Sequence, residues 1–316
     1  NMTLTELHYA TALATTQHFG RAAEKCNISQ PTLSIAIKKL ESELGVQIFE
    51  RTSNQIFLTT VGGFVIAQAH KVLNEAAVIK DIASSANQKL SAPLHIGAIF
   101  TIGPYLFPNF VTPLQQSAPD MPLIIEEGYT HTLKNRLRKG EVDVIMVALP
   151  FVEPDVVVQP LFDEPFMVIL PTNHRLAKHS KLMSEDLKQE HVLLLGEEHC
   201  FRDQVISAIP NINKYHNTNS PSGADSGANT LETLCTMIAS GFGITILPLS
   251  AVKGLSFIAT NLAAVPLHGT NAKRTVALAW RSSFPRHQAI DAVRNAIFSS
   301  YGIIANNHKI PELAFD

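Results

Sequence analysis

The chain has 316 residues, enough for about two domains at roughly 150 residues each. Hydrophobic residues make up 46% and charged residues 16% of the sequence, a composition that excludes an intrinsically disordered chain. Lys and Arg number 25 against 27 Asp and Glu, so bulk charge cannot hold nucleic acid or anionic lipid, and any nucleic-acid contact must be local.

Three cysteines, Cys26, Cys200 and Cys235, are too few and too scattered for a disulfide framework or a four-ligand zinc site. No basic flank followed by an apolar stretch begins the chain, and no segment approaches the roughly 18 consecutive apolar residues of a membrane span. We therefore expect a cytoplasmic protein without membrane contact, metal or cofactor. Motifs of phosphate-binding loops, zinc hydrolases and nucleophile elbows are missing, so we expect no enzyme.

The first sixty residues carry three helical patterns and one hairpin pattern. Residues 3–15 and 19–26 place apolar side chains at the three-and-four spacing of a buried helix face. A third helix is predicted to end at Leu44, and residues 46–59 then alternate as in a hairpin. This succession predicts a winged helix-turn-helix domain over residues 2–59.

The third helix has clear start and stop signals. Ser29 is a favourable N-cap residue, Pro31 suits the first turn, and Gly45 suits the position after the last turn. Its spacing predicts a buried stripe formed by Leu33, Ile37, Leu40 and Leu44.

Residues 60–90 predict a long linker helix. Positions 61, 65, 68, 72, 75, 79, 82 and 86 follow a heptad-like spacing and are apolar in six of eight places. We interpret this seam as a dimerisation surface, the alternative being a single amphipathic helix packed against its own domain. Gly62 and Gly63 near its start predict a loose hinge.

Beyond residue 91, short apolar runs alternate with helical patterns, which is typical of an α/β fold. The strand-like runs are residues 94–99, 123–126, 142–147, 166–170, 192–195, 244–247 and 275–280. Because a strand returns near residue 275, we predict two lobes crossed twice by the chain, with a cleft between them. We assign residues 91–165 and 267–300 to the first lobe and 166–266 to the second.

Five runs in the first sixty residues match, in order, the signature of a known family. They are residues 19–23, 29–34, 37–41, 44–46 and 49–51. This part of the chain resembles the LysR-type transcriptional regulators. The resemblance implies a periplasmic-binding-protein-like effector domain, dimers paired through the linker helix and assembled as tetramers, and binding to double-stranded promoter DNA, with RNA polymerase as a further partner.

The third helix is the expected recognition helix, because short polar side chains at its N-terminal end would let it approach base edges in the major groove. Gln30 can pair with adenine, and the lysines further along the helix suit phosphate contacts. Two lysines alone would more often be a solvated helix face, and the helix-turn-helix context reverses that weighting. The predicted DNA-contacting residues are Gln30, Pro31, Thr32, Ser34, Lys38, Lys39 and Arg51. Within residues 1–60 five Lys and Arg face five Glu, so a dimer on two half-sites is needed.

Residues 193–205, together with 101–106, 148–151, 163–166 and 231–234, resemble the peroxide-sensing branch of the same family. The resemblance implies that hydrogen peroxide is the signal and that Cys200 is the residue it oxidises. It further implies a peroxide pocket formed by Thr101, Thr130, His199, Arg202, Asp203 and Arg274.

A cysteine that reacts with peroxide does so as a thiolate, and Cys200 is predicted to open a helix, where the helix dipole stabilises an anion. One alternative is a buried structural cysteine. The other is a LysR-type regulator whose cleft binds a small organic co-inducer, with an anionic group held at a helix N-terminus near Thr101.

The resolving cysteine of the family's disulfide switch is replaced here by Ile209, nine residues after Cys200. The usual intramolecular disulfide therefore cannot form. Oxidised Cys200 could stop at sulfenic acid, be capped by a small thiol, or be resolved by Cys235, which a buried helical pattern disfavours. We expect rearrangement of residues 196–225 to change how dimers pack, with the linker helices carrying the change to the DNA-binding domains.

Overall fold

The chain folds into two compact units, Asn1–Asn87 and Gln88–Asp316. The computed structural model describes residues 1–52, 56–85, 90–210, 212, 228–255, 261–304 and 309–314. Among these residues no helix combines the length and the apolar character that a membrane crossing requires.

The first unit is the predicted winged helix-turn-helix followed by a long helix. Its elements are α1 (Leu4–Thr16), α2 (Phe19–Lys25), α3 (Gln30–Leu44), β1 (Phe49–Arg51), β2 (Ile56–Leu58) and α4 (Thr60–Ser85). The strands β1 and β2 pair antiparallel as the wing. The predicted turn of this hairpin at residues 53–54, and the end of the predicted linker at residues 86–89, lie outside the described residues.

Local side-chain chemistry sets the ends of α3. The Ser29 hydroxyl accepts a hydrogen bond from the Thr32 amide at 3.3 Å, and Gly45 ends the helix in a left-handed conformation at φ 67°. Three of the four residues of the predicted stripe are buried, whereas Leu44 is 37% exposed, so that part of the prediction was wrong. Leu44 is the last helical residue, where the chain turns away from the core at Gly45.

One face of α4 belongs to the core of the first unit, where Ile66 and Ala69 are buried. Gly62 lies against the backbone of Ile48, where a side chain has no room. A Cβ atom at position 62 would lie 2.0 Å from the carbonyl oxygen of Ile48. Gly62 therefore permits tight packing of the helix start, and the loose hinge stays a prediction. Other positions of α4 carry exposed apolar side chains, among them Val61, Phe64, Val72 and Ile79.

The second unit is an α/β domain built on one continuous, mixed sheet. Its strands are β3 (Leu94–Ile99), β4 (Leu123–Gly128), β5 (Val144–Ala148), β6 (Val156–Pro171), β7 (Leu182–Met183), β8 (Val192–Leu193), β9 (Ile244–Pro248), β10 (Leu262–His268) and β11 (Lys273–Arg281). Their order is β4-β3-β5-β11-β6-β10-β7, with β9 pairing both β6 and β8. The helices are α5 (Gly103–Ser117), α6 (Thr130–Arg138), α7 (Cys200–Ala208), α8 (Leu231–Ala239), α9 (Leu249–Gly254) and α10 (His287–Ser300).

The long strand β6 connects the two lobes of this unit. Its first part, up to Pro165, pairs with β11, and its second part, from Phe166, pairs with β9 and β10. The lobe boundary that we assign after residue 165 therefore falls within β6, where its pairing partners change. Strands β3, β4 and β5 lie in the first lobe, and β8 and β9 lie in the second.

Candidate functional site

The chain brings the starts of several helices together around a small cavity in the second unit. Thr101 follows β3 before α5, Thr130 begins α6, and Cys200 begins α7. The cavity is lined by Ile99, Phe100, Thr101, Gly128, Tyr129, Thr130, Glu198, His199, Cys200 and Phe201. It leaves about 10 Å³ for the centre of a water-sized molecule, which is roughly the room that one such molecule occupies.

Three of the six predicted pocket residues, Thr101, Thr130 and His199, therefore share this cavity with Cys200. The first two come from the first lobe and the other two from the second, so the site lies between the lobes. Cys200 is the first residue of α7 and is half-buried, which leaves its sulfur within reach of a small oxidant. The amide groups of a first helical turn lack helical partners and create a positive potential at this place.

Arg274 lies behind the cavity wall and is fully buried. Its Nε donates to Glu164 Oε1 at 2.6 Å, while Nη1 and Nη2 donate to the hydroxyl and the carbonyl oxygen of Thr101, each at 2.8 Å. Because the Thr101 hydroxyl accepts from Arg274, its own proton is available to another acceptor. Arg274 thus acts on the cavity by orienting Thr101.

The remaining two predicted pocket residues, Arg202 and Asp203, do not line the cavity. Arg202 donates from Nη1 to the carbonyl oxygen of Leu195 at 2.8 Å, which ties α7 to the segment before Cys200. Asp203 is an exposed residue of the first turn of α7. The structure gives Arg202 a contact with the backbone and leaves Asp203 facing solvent.

His199 is 5% exposed, and among the described residues its Nε2 atom has no hydrogen-bond partner. Its ring lies edge-to-face against Tyr129, with ring centroids 5.0 Å apart, and against Phe100 at 6.0 Å. Burial lowers the pKa of His199, although a backbone hydrogen bond with Asn229 and the charge of Glu198 act in the opposite direction. The imidazole is therefore neutral at neutral pH.

Sequence reasoning missed Tyr129, Glu198 and Glu164. Tyr129 hydrogen-bonds Glu198 across the cavity, and burial together with this bond raises the pKa of Tyr129. Tyr129 also stacks on His131 with ring centroids 5.9 Å apart. Glu164 and Glu198 each lie within a matched segment, but no local pattern signals a contact between residues so far apart in sequence.

Neither of the other cysteines lies at this cavity. Cys235 is buried within α8, where burial raises the pKa of its thiol to about 11. Cys26 belongs to the first unit, at the end of α2, and burial raises its pKa as well. Ile209, at the position of the family's resolving cysteine, is buried at the end of α7. In the part of the chain that the structure describes, no three His, Cys, Asp or Glu side chains form a metal-binding group.

The predicted DNA-contacting residues lie on α3 and the wing. Gln30, Pro31, Thr32, Lys38, Lys39 and Arg51 are exposed, and Ser34 is half-buried. Lys39 Nζ lies 2.6 Å from Glu6 Oε1, so its charge is paired within the unit. The Arg51 guanidinium lies 4.6 Å from the ring centroid of Phe19, which holds it beside the start of α2.

A winged helix-turn-helix with a long helix and a separate two-lobed α/β unit defines a DNA-binding regulator with an effector domain. Two family descriptions match: "Bacterial regulatory helix-turn-helix protein, lysR family" over residues 4–63 and "LysR substrate binding domain" over residues 87–300. The chain belongs to the LysR family of transcriptional regulators, which are not enzymes.

Relatives of known function cover nearly the whole chain. A "Hydrogen peroxide-inducible genes activator" of Dickeya chrysanthemi is 38% identical over 93% of this chain and 95% of its own length. The "DNA-binding transcriptional dual regulator OxyR" of Escherichia coli is 36% identical over 94% of this chain and 95% of its own length.

Solved structures of OxyR proteins are also similar to this chain. Full-length OxyR of Pseudomonas aeruginosa, with a cysteine replaced by aspartate, is 49% identical, with a TM-score of 0.79 over 94% of this chain and 95% of its own. A cysteine-to-serine variant of Corynebacterium glutamicum OxyR in an H2O2-bound form is 30% identical, with a TM-score of 0.63 over 98% of each chain.

Proposed function

We propose that this regulator senses hydrogen peroxide through oxidation of Cys200 and converts that event into altered contacts with promoter DNA. The observation that carries the proposal is the cavity beside the half-buried Cys200 sulfur, with room for about one water-sized molecule. Two threonine hydroxyls and a buried imidazole line the same cavity. Peroxide is slightly larger than water and needs hydrogen-bonding groups on both of its oxygen atoms.

The chain's own groups suit the reaction of a thiolate with peroxide. Thr101, which accepts from Arg274, has its hydroxyl proton available for a peroxide oxygen, and Thr130 supplies a second hydroxyl. The thiolate sulfur attacks one oxygen, the O–O bond breaks, and the other oxygen leaves as hydroxide that takes up a proton to form water. The sulfur is oxidised by two electrons and becomes a sulfenic acid.

The cavity volume argues against the organic co-inducer alternative. Pockets for small organic molecules typically enclose roughly 300–1,000 Å³. The cavity beside Cys200 leaves about 10 Å³ for the centre of a water-sized molecule, so it accommodates a peroxide-sized molecule at most.

We further propose dimers that pair through the exposed apolar side of α4, where Phe64 and Ile79 stand uncovered. Two such dimers would form a tetramer through their effector units. Paired DNA-binding units would read two half-sites on cytoplasmic promoter DNA, and RNA polymerase would be a neighbouring partner. Of the residues 196–225 that we expect to rearrange, 211 and 213–225 lie outside the described residues.

The test replaces Cys200 with serine in the full-length protein. We expect the Cys200→Ser variant to bind DNA selected by the reduced wild-type protein with nearly unchanged affinity, and to show no change in binding or transcription on peroxide addition. Cys235→Ser is the matched control and should respond like wild type. A peroxide response that persists in Cys200→Ser would refute the sensing role.

A further inference from the structure

The chain contains no thiol that is suited to resolve an oxidised Cys200. There are three cysteines in the whole sequence, and the position nine residues after Cys200 is isoleucine. Cys235 is buried in the middle of α8, and a thiol attacks a sulfenic acid as the thiolate, which a buried site disfavours. Cys26 belongs to the other unit. The oxidised sulfur therefore has no disulfide partner within the second unit.

A thiol from solution is also disfavoured by the shape of the site. The cavity beside the sulfur leaves room for about one water-sized molecule, and Tyr129 and Glu198, which hydrogen-bond each other, both belong to its wall. A thiol the size of a tripeptide cannot enter this space in line with the Cys200 sulfur. Peroxide passes the same restriction because it has only two heavy atoms.

His199 provides a fixed partner for an oxygen added to the sulfur. Its Nε2 is buried and has no hydrogen-bond partner among the described residues, which is rare for a buried polar atom. A backbone hydrogen bond with Asn229 favours the charged form of the His199 ring. The ring nitrogen in that hydrogen bond is therefore the donor. In the neutral ring Nε2 is then the acceptor, and His199 lines the same cavity as Cys200, the next residue in the chain.

We infer that the end product of Cys200 oxidation is a retained sulfenic acid, whose hydroxyl donates to His199 Nε2 inside the narrow cavity. The inference rests on the proposed function and adds the chemical form of the signal. The bond that forms is S–O, and the sulfenic proton stays on that oxygen and points to the imidazole. Further oxidation requires the sulfenate to attack a second peroxide, so a hydrogen bond that keeps the group protonated slows it.

The test combines mass spectrometry with chemical trapping in the full-length protein. Reduced protein receives one equivalent of hydrogen peroxide, with or without glutathione present. Glutathione is then removed, and the protein is unfolded in denaturant that contains dimedone, which traps any sulfenic acid. We expect the mass of one added oxygen and a dimedone adduct at Cys200, in wild type and in Cys235→Ser alike. A disulfide to Cys235, a disulfide between two chains, a cyclic sulfenamide, or a glutathione adduct as the main product would overturn the inference. An unmodified Cys200 would instead overturn the proposed function.

The role of His199 has its own readout, the lifetime of the sulfenic acid under continued peroxide exposure. His199→Phe keeps an aromatic ring against Tyr129 and Phe100 but removes Nε2, and it should shorten that lifetime about fivefold, the factor that one hydrogen bond represents. His199→Gln retains an acceptor oxygen and should restore part of the lifetime. Equal lifetimes in all three proteins would refute the contact between His199 and the sulfenic acid.

Discussion

The buried ion pair between Glu164 and Arg274 lies next to Thr101 in the wall of the cavity beside Cys200. Glu164 and Arg274 have fully buried side chains, with Oε1 and Nε 2.6 Å apart, and Glu164 Oε2 also accepts from the Ser250 amide at 3.1 Å. Glu164→Ala leaves the Arg274 charge buried without its counter-ion. We expect a loss of about 3–5 kcal/mol in the free energy of unfolding of the second unit, which is the usual cost of breaking a buried pair.

The assay uses the single tryptophan of the chain. Trp280 is buried in β11, on the same strand as Arg274, so its fluorescence during urea denaturation reports the unfolding of the second unit. The matched control is Lys273→Ala, since Lys273 pairs with Asp163 on the same two strands at 2.7 Å but is 52% exposed. An exposed pair of this kind contributes less than about 1 kcal/mol. Protein concentration stays fixed because association adds to apparent stability.

A Glu164→Ala variant that is no less stable than Lys273→Ala would refute the reasoning, because the cost is attributed to an uncompensated buried charge. A second comparison isolates that charge. Replacing both partners, Glu164→Leu together with Arg274→Met, removes the charges while keeping similar volumes, and should recover most of the lost stability. Peroxide reactivity should stay impaired in the double variant, because Thr101 has lost both of its hydrogen bonds from Arg274.

Further predictions concern DNA binding and pH. Gln30→Ala should relax base preference, and equal losses on selected and random DNA would contradict the recognition-helix assignment. Lys38→Ala should weaken binding to all DNA and reduce the salt-dependence slope by about one unit, whereas Lys39→Ala should change it less because Glu6 already pairs that charge. Burial lowers the pKa of His199 below its ordinary value of 6.5. At a pH between the folded and the unfolded pKa, the unfolded chain therefore binds one proton more than the folded protein. Stability should therefore fall as pH drops below about 7, and His199→Asn should flatten this slope in Trp280-monitored unfolding.

The elements that the sequence predicts well are those with local signals. Ser29 and Gly45 fix the ends of α3 through contacts within a few residues, so the recognition helix has its predicted bounds. Strand β10 was missed, since its residues 262–268 include two alanines and Pro266, which weaken a strand pattern. It exists because it pairs with β6 about a hundred residues earlier in the chain. The first part of β6 was missed for a similar reason, as its partner β11 follows much later.

The candidate site shows the same division. Resemblance to a family identifies Cys200, Thr101, Thr130 and His199, and the structure brings all four to one cavity. The resemblance does not indicate that Arg202 donates to the carbonyl oxygen of Leu195 instead of lining the cavity. Long-range polar contacts depend on the final packing of the lobes, which no local spacing encodes.

The charge arrangement of the first unit determines what kind of signal can control this regulator. Five cations face five carboxylates in residues 1–60, and the Lys39–Glu6 pair removes one of those cations from direct competition for phosphate. A single unit therefore binds DNA weakly, and useful affinity requires two units held at the spacing of two half-sites. Affinity that depends on spacing is sensitive to small changes in the geometry of the assembly. One oxygen atom added to Cys200 is a small change within the effector unit. Because affinity depends on spacing, this change would alter promoter occupancy without contacting any residue that binds DNA.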